Sequence, residues 1–134
     1  MFFVVKRATL LIPSGPQSDP NKKHLFICLT DAFGSERETL IVSVSTLRAG
    51  IPADETCNLF GGDHPFIKHK SFVDYRNARI IAADKLVKGV NQGLFIAMDA
   101  LETSAFSRIC YGLTQSSFTA PKHLEFYRRA TGHE

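Results

Sequence analysis

The chain has no tryptophan and only three tyrosines, so its eleven phenylalanines carry most of the aromatic content. Such rings suit a packed core more than an exposed base-stacking platform, which weakens a reading as an aromatic RNA-binding sheet. Cysteine is sparse as well. Cys28, Cys57 and Cys110 are odd in number with no C-x-x-C spacing, and the apolar surroundings of Cys28 and Cys110 suit reduced, buried thiols. A cytoplasmic location follows from that usage. No apolar run approaches the length of a bilayer span, so no membrane is expected. In Met1–Arg7 the basic residues follow the apolar run, the reverse of a signal peptide. Gly61-Gly62 lacks the Gly-Lys-Ser/Thr ending of a phosphate-cradling P-loop, and the chain has neither internal repeats nor low-complexity segments.

What is present fits one domain over residues 1–134, long enough to bury a core without disulfides or metals. Ala8–Ile12, His24–Thr30, Glu38–Thr46, Thr56–Phe60 and Phe72–Ile81 read as five short strands. The continuous apolar run of the second marks the centre of the sheet. In the third, Leu40, Val42 and Val44 share one face, while Ile41, Ser43 and Ser45 share the other, where small hydroxyls would line a groove. Beyond Ala83 the composition turns helical. Asp99 with Glu102 has the form of a capping box, and Leu101, Ala105, Ile109 and Leu113 make a core stripe. A second helix is expected after Pro121, with Leu124, Tyr127 and Ala130 inward and Lys122, Arg128 and Arg129 outward. The fold class is mainly β (α+β): a small barrel over residues 6–96 with C-terminal helices over residues 99–130.

The formal charge is only +3, yet residues 64–90 hold Lys68, Lys70, Arg76, Arg79, Lys85 and Lys88 against Asp74 and Asp84. That asymmetry favours an anionic partner, although a solvated basic face accounts for the same charges. Strand alternation puts Phe72, Asp74, Arg76, Ala78 and Ile80 on one face and Val73, Tyr75, Asn77 and Arg79 on the other. Asp74 and Arg76 then stand together, either as a phosphate-handling pair or as a surface ion pair. They follow a loop bearing His64, Lys68, His69 and Lys70. The polar loop from Pro13 to Lys23 is another place for a ligand to rest. Asp63, His64, His69 and Cys57 match no usual zinc spacing, and no metal or other cofactor is expected.

In order and spacing the strands resemble the MazF/PemK/Kid family of growth-inhibitor toxins over about residues 6–116. Lys6–Ile12 resembles the family's first strand, and His24–Cys28 stands where the family has Arg-Pro followed by an apolar strand. Val42–Thr46 stands in place of its Val-Pro-hydrophobic-Thr-Ser, Ala78–Ile81 in place of its Arg-Thr-Ile, and Ala105–Gly112 in place of its helix ending near Leu-Gly. The resemblance implies an SH3-like barrel, cleavage of single-stranded RNA, inhibition by an antitoxin protein, and a homodimer.

Metal-independent cleavage needs a base for a 2′-hydroxyl, an acid for the leaving 5′-oxygen, and donors for the phosphorane charge. The catalytic candidates are Asp74 as base, Arg76 as charge stabiliser and His64 as acid, with His69 an alternative acid. Ser45, Thr46, Lys23, His24, Lys68, His69 and Lys70 are the substrate-binding candidates. The competing expectation is a non-catalytic module on the same barrel, which contacts nucleic acid or protein through Gly61–Lys70.

Overall fold

The computed structural model describes residues 1–132. Strands β1 (Thr9–Pro13), β2 (Lys23–Cys28) and β3 (Glu38–Thr46) form an antiparallel meander. The long strand β5 (Ser71–Ala82) continues it on β3, with the short β4 (Asn58–Leu59) outside it. Helix α1 (Ala83–Asn91) leaves β5 directly, and β6 (Ile96–Met98) returns to pair with β1. The spatial order is β4-β5-β3-β2-β1-β6, a six-stranded antiparallel sheet curled into a half-barrel. Helices α2 (Thr103–Gln115) and α3 (Pro121–Thr131) complete an α+β fold of the expected class. Among the described residues no helix is long and apolar enough to cross a membrane.

The sheet's two faces have different covers. On the inner face Leu25, Ile27, Leu40, Val42, Val44, Val73 and Tyr75 pack against Ala105, Ile109 and Leu113 of α2, with Phe126 and Tyr127 of α3 alongside. The helical stripe expected from sequence is thus the wall of the main core. Tyr75 is buried, and its hydroxyl donates to the Ile109 carbonyl at 2.7 Å. That approach requires Gly112, because a methyl group there would collide with the Tyr75 hydroxyl. On the outer face Leu10, Ile12, Phe26, Cys28 and Ile41 are covered by Phe2 and by Leu86 of α1. This cover extends over only part of that face, and the rest carries polar side chains.

Two local expectations change. The N-cap of α2 is Glu102, not Asp99: the Glu102 carboxylate accepts from the Ala105 N–H at 2.8 Å and from the Ser104 hydroxyl. Asp99 instead offers its backbone carbonyl to Thr9 and His64. In α3 the most deeply buried side chain is His123, 6% exposed, rather than Leu124.

The alternation of β5 also breaks. Ile41 opposes Arg79 and Ser43 opposes Asp74, so between these pairs Val42 alone on β3 faces Tyr75–Ala78 on β5. A bulge of this size lets the strand change which residues face inward. Val73 and Tyr75 face the main core before it, Ala78 and Ile80 after it. Arg79, expected on the face opposite Asp74, therefore emerges on the same face.

Candidate functional site: a cationic cleft on the open face of the sheet

The open part of the outer face is built by rows of cross-strand neighbours. Leu10, Phe26, Ser43 and Asp74 are in register across β1, β2, β3 and β5. One row along, Ile12 opposes His24, and Ser45 opposes Phe72. With strands about 4.8 Å apart, His24 and Asp74 lie on either side of the two serines. Arg76 and Arg79 join them from β5, and Lys122 and His123 from the first turn of α3. Together these residues line a cleft of about 580 Å³.

Of the two alternatives for Asp74 and Arg76, the surface ion pair does not form. Asp74 Oδ2 accepts from the Asn77 side chain at 2.8 Å. The Arg76 guanidinium lies over the Phe118 ring at 4.3 Å, a cation–π contact. Its charge also reaches Asp54, which burial would push up but which hydrogen bonds from Ser116 and Thr56, with Arg76, hold below the usual carboxylate range. Arg79 rests over Phe26 at 5.2 Å. The described ion pairs are Lys70 with Glu55, Lys88 with Asp84 and Arg108 with Asp63, all outside the cleft. Both guanidiniums are thus positioned by aromatic faces, with their donors uncommitted to a carboxylate among the described residues.

His24 is the best-defined titratable group of the cleft. The Ser14 hydroxyl donates its only proton to the Ile12 carbonyl at 3.0 Å. It must therefore accept from His24 Nδ1–H at 2.8 Å, leaving Nε2 of the neutral ring as the acceptor. Burial and Lys22 lower the His24 pKa, while Asp74 acts in the opposite direction. His123 is likewise held low, by burial and by Lys122, and its Nδ1 is buried with no partner among the described residues.

The other candidates divide. Ser45 lines the cleft together with His24, and Lys23 and Thr46 line a depression continuous with it. Lys68 and His69 are exposed and line neither depression, and Lys70 sits 4.0 Å from Glu55. His64 is not in the cleft. It is 2% exposed, its Nδ1 accepts from the Phe66 N–H at 3.0 Å, and its Nε2 lies 2.7 Å from the Asp99 carbonyl and 3.1 Å from the Thr9 hydroxyl. The ring ties the Gly61–Lys70 loop to the β1–β6 edge, and both nitrogens are spent on that structural role. The open face of Asp74 and Arg76 is therefore not roofed by the loop that carries His64.

Sequence reasoning missed Arg79 because no periodicity announces the bulge. It passed over His123 although the spacing held a signal: His123, Phe126, Tyr127 and Ala130 lie on one helical stripe. No protein-family model, curated protein or solved structure matches the chain.

Proposed function

We propose that the protein is a metal-independent endoribonuclease acting on single-stranded RNA, as its resemblance to the MazF/PemK/Kid toxins implies. The observation that carries this reading is the meeting in one cleft of His24, with Nε2 available, the Asp74 carboxylate, and two guanidiniums without an ion pair among the described residues. Neutral His24 takes the proton of the 2′-hydroxyl at Nε2, and the 2′-oxygen attacks the adjacent phosphorus. Asp74 favours the imidazolium that results, since its charge already pulls the His24 pKa upward. Arg76 and Arg79 take up the charge on the non-bridging oxygens, with Ser43 and Ser45 as further donors. The P–O5′ bond breaks, the 5′-oxygen receives the proton from the imidazolium, and the products are a 2′,3′-cyclic phosphate and a 5′-hydroxyl. In this proposal His24 takes over both the base role expected of Asp74 and the acid role expected of His64, and Asp74 supports the imidazolium.

An antitoxin protein that occupies the cationic cleft and a homodimer as the working unit belong to the same proposal. The test is incubation of the purified protein with a long unstructured RNA in the presence of a chelator. Discrete fragments lost in Asp74→Ala and Arg76→Ala support the enzyme. Intact RNA retained in a salt-sensitive complex supports a non-catalytic nucleic-acid-binding module instead.

A further inference from the structure

The cleft continues past His24 and Ser45, which also wall a neighbouring depression of about 450 Å³. Its lining combines apolar side chains, among them Ile51, Phe66 and Phe72, with Lys22, Lys23 and Arg48, and includes no carboxylate. Phe66 is 39% exposed and Ile51 61% exposed, so apolar surface faces water directly beside the cations. Phe72 follows from strand register: it opposes Ser45 and stands two residues before Asp74 on the same face of β5.

We propose that this depression is a nucleobase subsite, which receives the base of the nucleotide flanking the scissile phosphate on the same RNA strand. This rests on the ribonuclease reading. Three features select a nucleobase as occupant. Shared walls give a strand with its phosphate between His24 and Asp74 a direct path for a neighbouring nucleotide over Ser45. The Phe66 and Phe72 rings supply the apolar surface against which a flat base packs. Lys22, Lys23 and Arg48, with no carboxylate in the same lining, match the phosphate that follows the base. Phe66 and Phe72 thus contribute a local stacking site at the cleft's end, while Phe2 and Phe26 are buried in the core.

The test uses the full chain carrying Asp74→Asn, to suppress cleavage, with and without Phe66→Ala. The probe is a fluorescein-labelled single-stranded RNA of twelve nucleotides, intact or made abasic at one position at a time. Phe66→Ala, in an exposed loop position, leaves the melting temperature unchanged and weakens binding of the intact RNA roughly 5- to 100-fold. One abasic position costs the parent a similar factor and costs Phe66→Ala almost nothing. Equal affinity of both proteins for the intact RNA overturns the subsite, and continued cleavage by the unsubstituted protein shows that the ribonuclease reading stands without it. Failure of the unsubstituted protein to bind or cut the RNA overturns both. Binding of an acidic peptide in place of RNA, weakened by Phe66→Ala, assigns the depression to a protein partner and overturns the nucleobase.

Discussion

Three histidines show how little a residue type says until its hydrogen bonds are known. His64 is spent on the Asp99 carbonyl and the Phe66 N–H, His123 is buried in the first turn of α3, and His24 keeps Nε2 available in the cleft. Substitution should separate them. His24→Gln is expected to lower RNA cleavage by about 10²- to 10⁴-fold, the usual worth of a positioned acid–base group, with little change in melting temperature. His64→Ala is expected to cost about 1–3 kcal/mol, read in urea denaturation, because it strands the Phe66 N–H and removes one of the two donors to the Asp99 carbonyl. The rate per folded molecule should survive. The cleavage rate should rise with pH through a single step below the ordinary histidine value of 6.5, since burial and Lys22 lower the His24 pKa and the neutral ring is the active form. A step above 6.5 in the pH–rate profile would remove His24 from the role of base.

At the scale of elements, the strands, the core stripe of α2 and the proline start of α3 were legible because each repeats a pattern every two or every three to four residues. The groove lined by Ser43 and Ser45 was legible for the same reason. What escaped was non-periodic. The bulge at Tyr75–Ala78 interrupts alternation without a glycine or proline to mark it, and it turns Arg79 to the side of Asp74. The three-residue β6 is too short to carry a pattern and exists because β1 offers an open edge. The cap of α2 shifted from Asp99 to Glu102 because the backbone at Asp99 is bound by Thr9 and His64. Glu102→Ala should lower the thermal midpoint, as loss of an N-cap does, and Asp99→Ala should lower it by much less. Equal losses in thermal unfolding would return the cap to Asp99. Arg79→Ala should leave a folded protein with strongly reduced RNA cleavage if Arg79 acts from the Asp74 face. Retained activity would show that Arg79 is dispensable there.

The whole molecule couples protonation to folding through two imidazoles, half-buried His24 and buried His123. His24 and His123 both have folded pKa values below 6.5, so the unfolded chain binds more protons as the pH falls from 6.5 toward those values. Stability is therefore full above 6.5 and declines across that window, seen as a falling urea midpoint between pH 7 and pH 5. His123→Phe should flatten the decline, and an unchanged slope would place the coupling elsewhere.

The same unity of parts is visible in Phe26. One side of its ring carries Arg79 at the floor of the cleft, and the ring also belongs to the cluster closed by Phe2 and Leu86. Foundation and workbench are one slab: any change that retunes the bench also shifts the footing beneath the chain's first residues, so drift in sequence is constrained there by two demands at once.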